Sequence, residues 1–235
     1  MLLLFIIIVS FIYYISKSKQ LKSNLKKIEL EQSLFRSQMN PHFIFNTIAG
    51  IRGNILNNEN DKAVKYLTQF SKLTRAILEQ SIEKTITLQE ELELLKNYIS
   101  LQQMRLNNSF NFTINIDDDI FTEAVNIPPM LLQPFIENAI EHGLKGLPYQ
   151  GLLQIDITNF KENILFISII DNGKGLLNSE NSNIGSLKKY SLSTSISKKR
   201  LLNWSKQFKN QSKIEIIDNS KENKEGVTIK IYLEY

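Results

Sequence analysis

Two histidines and no cysteine occur among the 235 residues. His42 stands in Gln38-Met39-Asn40-Pro41-His42-Phe43-Ile44-Phe45-Asn46. An imidazole has a nitrogen that is nucleophilic and neutral near pH 7, so His42 is a candidate to accept an electrophilic group. Asn46 lies one helical turn on, on the same face, where it could orient the ring or place a water. A second segment, Leu132-Gln133-Pro134-Phe135-Ile136-Glu137-Asn138-Ala139-Ile140-Glu141-His142-Gly143, carries a carboxylate, an amide and the other imidazole. Mg2+ takes oxygen ligands and few protein contacts, and the Asn138 amide oxygen suits it. Glu137 precedes it and points about 100° away on a helix. The third segment, Asp171-Asn172-Gly173-Lys174-Gly175, follows an apolar strand-like run. A carboxylate there can accept hydrogen bonds, and Gly173 and Gly175 let the backbone come close to a ligand.

Each segment also has a plainer reading. His42 could be a satisfied helix histidine, Asn46 an amide meeting solvent, His142 structural, and Asp171 part of an ordinary strand-end turn. Composition narrows the field. Hydrophobic residues make up 42% and charged residues 22%, which excludes a largely disordered or collagen-like chain. The absence of cysteine excludes a disulfide scaffold, a Cys-ligated zinc and a thiol nucleophile. The net charge of +4 is mild, and no basic stripe interleaves with aromatics, so direct nucleic-acid binding is not expected.

The elements that must position these residues follow from periodicity. Residues 2–15, LLLFIIIVSFIYYI, carry no charge. As a helix they span about 21 Å, short of the ~30 Å hydrocarbon core, yet Tyr13, Tyr14 and snorkelling lysines extend the reach. A single-pass anchor over 1–16 is expected. Lys17, Lys19, Lys22, Lys26 and Lys27 then place the rest of the chain on the cytoplasmic side of the cytoplasmic membrane. Leu21, Leu25, Ile28, Phe35 and Met39 form a coiled-coil-like seam. Pro41 kinks the rod at the Ser37 carbonyl. A new stripe begins at Ile44, Ile48, Ile51 and Ile55, with His42 on its flank, reachable from outside. After a polar turn at 57–61, Ala63, Leu67, Phe70, Leu73 and Ile77 predict a second helix. Two helices joined by a short turn form a hairpin, and two copies would make a dimeric four-helix bundle. Thr87 and Glu90 predict a capping box on a third helix reaching about residue 106.

From residue 110 the period falls to two. Strands are expected around 110–116, 153–157, 164–170 and 227–233, with helices at about 129–145, where Pro129 suits the first turn, and 191–209. The fold class predicted is α+β, with helices on one face of a mixed sheet. The organisation expected is an anchor over 1–16, a stalk and dimerising helical hairpin over 17–84, and the α+β domain over 85–235.

Together the three segments resemble the LytS-type sensor histidine kinases, whose phosphoacceptor motif reads Q-x-N-P-H-F-x-F-N. The similarity runs from Gln38 to the C-terminus. It implies a GHKL-type α/β sandwich that binds ATP and Mg2+, with His42 as phosphoacceptor and Asn138, in the N box, as the magnesium ligand. It also gives Asp171 the adenine amino group, with Gly173 and Gly175 in the first glycine box, and makes Glu137 a secondary candidate as base, since an N-box Glu serves so in related ATPases. His142, one turn after Asn138, could face the same cleft. Glu141 stands where the family often has a basic residue.

The departure lies at the second glycine box, G-x-G-L in much of the family. Ser191, Ser193 and Thr194 stand here, in Ser191-Leu192-Ser193-Thr194-Ser195. A helix N-terminus with hydroxyls still offers N–H and O–H donors to phosphate. Residues 176–190 would form the lid over ATP. The implied function is a homodimeric, membrane-anchored sensor kinase that passes phosphate to an aspartate of a response regulator, of the LytTR type. The serines motivate an alternative, a nucleotide-binding pseudokinase that serves as a signalling scaffold; a plain ATPase of the same fold is a third.

Overall fold

A computed structural model of the chain describes residues 17, 41–176, 195, 197–206, 212–219 and 225–235. The apolar run 2–15, the stalk seam, Gln38 to Asn40, the expected lid beyond residue 176, and Ser191, Ser193 and Thr194 lie outside the described residues. By its own contacts the chain divides into two units, residues 1–49 and 50–235. Among the described residues no helix is long and apolar enough to cross a membrane.

Helix α1 spans Pro41–Leu56. Proline suits a helix start, because its missing N–H would have no partner there. Phe43 and Thr47 are buried, and the Thr47 hydroxyl donates to the Phe43 carbonyl at 2.9 Å. Along the stripe Ile44 and Ile51 are half-buried, while Ile48 and Ile55 are each 53% exposed; Phe45, beside it, is 71% exposed. Helix α2, Asn60–Ser81, follows a turn in which Asn58 adopts a φ of 60°. It buries Ala63, Tyr66, Leu73 and Ile77. Tyr66 takes the place expected for Leu67, which is 51% exposed. A Cβ on Gly50 of α1 would fall 2.8 Å from the Tyr66 ring, so the two helices touch where α1 has no side chain.

Helix α3 spans Leu88–Arg105 and opens with the expected capping box. The Glu90 N–H donates to the Thr87 hydroxyl at 3.2 Å, and the Thr87 N–H donates to the Glu90 carboxylate at 2.8 Å. Just before it, β1 (Ile86–Thr87) pairs antiparallel with β3 (Asn126–Ile127). The main sheet has five strands: β2 Phe110–Ile116, β4 Gly151–Lys161, β5 Ile164–Asp171, β6 Lys213–Asp218 and β7 Val227–Glu234, in the order β2-β4-β5-β7-β6. β2 and β4 run parallel and the other pairs antiparallel, so the sheet is mixed, as expected.

Alternation sets the sheet's inner face. Leu153, Ile155 and Ile157 of β4, Leu165, Ile167 and Ile169 of β5, and Ile229, Ile231 and Leu233 of β7 are all buried, while their neighbours along β7 are half-exposed. Against this domain lie the helical segment 133–144 and a helix over residues 197–206, α5, which buries Leu201 and Trp204. The Trp204 indole donates to the Glu234 carbonyl at 3.2 Å, tying α5 to the end of β7.

Candidate nucleotide-binding site

Helix α4 runs Gln133–Asn138 and passes without a break into a π-helical turn, Ala139–Leu144. The expectation of a helix from 129, with Pro129 in its first turn, is corrected here: the first turn holds Pro134. Met130 has a φ of 53°, a left-handed conformation that no helix accepts. The Glu91 carboxylate on α3 takes the N–H groups of Met130 and Leu132, at 2.8 and 2.9 Å, and holds the chain in a turn up to residue 132. A π-helical turn inside a helix is rare and frequently accompanies a functional site.

Asn138 closes α4 and is 4% exposed. Glu137 and His142 are half-buried. Glu137 and Glu141, one turn apart, both raise the pKa of the buried Tyr98 hydroxyl, which lies well above its usual range chiefly through burial. Glu141 also pairs with Arg105, their side chains 12% and 10% exposed. These two carboxylates therefore face α3.

The π-helical turn ends against the third segment. A Cβ on Gly143 would lie 2.9 Å from the Asp171 Oδ1, and one on Gly173 would lie 2.5 Å from the Gly143 Cα. Neither position has room for a side chain. The Lys174 N–H donates to the Gly143 carbonyl at 3.3 Å, and the Lys174 ammonium donates to the Lys145 carbonyl at 2.8 Å. Gly175 has a φ of 72°. Asp171 ends β5 and is 5% exposed. Its Oδ1 accepts the Gly173 N–H at 2.9 Å. Burial pushes its carboxyl up to about 6; the N–H groups of Gly173 and Val227 pull it back, and Asp218 raises it further. A second close approach supports it from behind. Gly226, at a φ of 89°, stands where a Cβ would meet the Asp171 carbonyl oxygen at 1.8 Å.

The structure thus brings together the helix that carries Asn138 and His142 with the turn that carries Asp171, Gly173 and Gly175. His42 is placed by its backbone, in the first turn of α1, and Asn46 sits one turn on, half-buried. Among the described residues no group of three or more His, Asp or Glu side chains could hold a metal by itself. A cation here would rest on Asn138 together with oxygens brought by a ligand, which is how Mg2+ is commonly held beside phosphates.

Sequence reasoning passed over Glu91, Arg200, Gly143 and Gly226 as parts of this site. A signal for Glu91 was present: it interrupts the apolar stripe Leu88, Leu92, Leu95, Ile99 on the inner side of α3. Arg200 shares a stripe with the buried Ser197, Leu201 and Trp204 but reads as one of a charged run.

The chain is similar to several known proteins. A family model described as Histidine kinase matches residues 30–110. The Sensor protein LytS of Oceanobacillus iheyensis is 35% identical over 159 residues, 68% of this chain and 26% of that protein. The Sensor protein LytS of Staphylococcus epidermidis is 36% identical over 152 residues, 65% of this chain and 25% of its own length. The Sensor histidine kinase/phosphatase LytS of Staphylococcus aureus is 38% identical over 154 residues, with the same coverage of 65% and 25%. The chain spans about a quarter of the length of these relatives. Over the segment it shares with them, the chain belongs to the LytS-type sensor histidine kinases.

Proposed function

We propose that the chain is the kinase part of a two-component sensor and phosphorylates its own His42 from ATP. The observation that carries this reading is the meeting of the Asn138 helix with the Asp171 turn at Gly143 and Gly173, where two glycines bring backbone against backbone beside a buried carboxylate. Asp171 is suited to the amino group of adenine, and Gly173 and Gly175 to a close-lying purine. Asn138 would supply the protein oxygen to Mg2+, which offsets phosphate charge when bound. Ser191, Ser193 and Thr194 would meet the phosphates and His142 would line the approach, while Glu137, which faces α3, is left without the base role. The imidazole nitrogen of His42 attacks the γ-phosphorus, the bond to the β,γ-bridging oxygen breaks, ADP leaves, and the ring proton passes to solvent. Asn46 orients the ring or places the water that later removes the phosphoryl group. That group otherwise passes to an aspartate carboxylate of a response regulator, of the LytTR type by family resemblance.

Membrane attachment through residues 1–16, the stalk and hairpin over 17–84, and a homodimer belong to the same proposal. The dimer is favoured by the apolar face that α1 leaves exposed. Incubation of the full chain with labelled ATP and Mg2+ tests the reading. Acid-labile, base-stable label that disappears in His42→Gln is expected. Nucleotide binding without label would favour the scaffold, and turnover that survives His42→Gln would favour a plain ATPase.

A further inference from the structure

We propose that Glu91 and Arg200 are positioning residues for the nucleotide site, which together lock the left-handed turn at Met130 and so fix where the Asn138 helix begins. This rests on the reading of Asn138 as the residue that meets the magnesium-bound phosphates. Met130 is 1% exposed and has a φ of 53°, a conformation that costs an L-residue free energy and persists only when its surroundings dictate it. Both of its peptide groups are held by charged side chains, Glu91 fully buried and Arg200 half-buried. The Met130 N–H donates to Glu91 Oε2 at 2.8 Å, and the Arg200 guanidinium donates to the Met130 carbonyl. The second Glu91 oxygen accepts the Leu132 N–H at 2.9 Å.

Helix α4 has no capping side chain of its own on Leu132. The carboxylate of Glu91, brought from α3 and fully buried, fills that role and sets a negative charge at the positive end of the helix. Both Glu91 oxygens act as acceptors, which is the pattern of an ionised carboxylate, and Arg200 supplies the opposite charge. Burial pushes the Glu91 carboxyl up to about 7, against the pull of three backbone N–H groups and of Arg200. The three parts come from three elements: α3, the entry to α4, and α5. A shift of Met130 would move Asn138, which lies eight residues downstream at the end of α4, with no change in the residues that meet the base.

The test compares unmodified chain, Glu91→Gln and Arg200→Gln, well below their melting temperatures. Dissociation constants for ATP are measured in Mg2+ and in EDTA, alongside amide hydrogen exchange of the peptide 130–138. Each variant is expected to weaken binding in Mg2+ about tenfold, the usual loss for an outer-shell partner, and to leave binding in EDTA within about twofold. Exchange at 130–138 should accelerate while β4 and β5 stay protected. Equal losses in Mg2+ and EDTA would reveal general loosening and overturn the proposal, as would unchanged exchange at 130–138. Should Glu91→Gln fail to fold, Arg200→Lys keeps the charge and stem and must shift the ratio the same way by less. A chain that binds no ATP at all overturns the functional reading instead, and the exchange rates then decide the lock by themselves.

Discussion

Asp171 illustrates how one carboxyl can be pulled in two directions. Burial raises it from 3.8 to about 6, so the folded chain holds this proton more tightly than the unfolded chain does. The stability it contributes is therefore fully present below about pH 4 and is lost as the pH rises through about 6. Nucleotide affinity should run the opposite way, because an adenine amino group needs the ionised acceptor. ATP affinity is expected to be flat above about pH 7 and to fall up to tenfold per unit below about 6. Asp171→Asn should bind weakly with no such slope. Isothermal titration across that range decides it, and a flat profile in the unmodified chain would remove the adenine role from Asp171. The position of this residue was legible, since Asp-Asn-Gly-Lys-Gly follows an apolar run. Its neighbours were not. Gly143 and Gly226 reach it from segments far along the chain, and no local pattern announces a distant backbone contact.

Among the elements, those with local causes could be read directly. The Thr87–Glu90 capping box marks the start of α3 because both partners lie within one turn of sequence. The alternation in β2, β4, β5 and β7 marks a one-sided sheet. The start of α4 could not be read in this way, because the carboxylate that ends the preceding turn sits on another helix. Glu141 makes a related point. By family pattern it is a neutral replacement of a basic residue, yet it pairs with Arg105 in a nearly dry setting. Lys145, at 3.5 Å and 45% exposed, adds little. Glu141→Gln is expected to cost about 2 kcal/mol in urea unfolding, because it leaves the guanidinium without its counter-charge. The double variant Arg105→Gln, Glu141→Gln should recover much of that loss. Strictly additive losses would mean that the pair is not coupled.

For the molecule as a whole, the reading of α1 matters most. Its apolar stripe was placed correctly along the sequence, yet Ile48 and Ile55 remain uncovered within one chain. Periodicity reports that a face is apolar and does not report what covers it. If a second copy does so, replacing both by serine should weaken self-association at least about a hundredfold, since each buried isoleucine contributes about 1.5–3 kcal/mol. Sedimentation equilibrium of the full chain in detergent measures this, and an unchanged dimer would place the contact elsewhere.

The parallel pairing of β2 with β4 has its own consequence for how such a chain comes into being. β2 finds its partner only after residues 117–150 have been made, and those residues contain Asn138, the π-helical turn and Gly143. A nascent polypeptide that stalls before Gly151 would display an unzipped strand edge and a half-built pocket, a form open to sticky encounters and to chaperones. Completion of β4 pairs that edge, while the pocket waits for Asp171 and Gly173 at the end of β5. Chain order alone thus makes the segment around Asn138 wait, during synthesis, for the sheet that backs it.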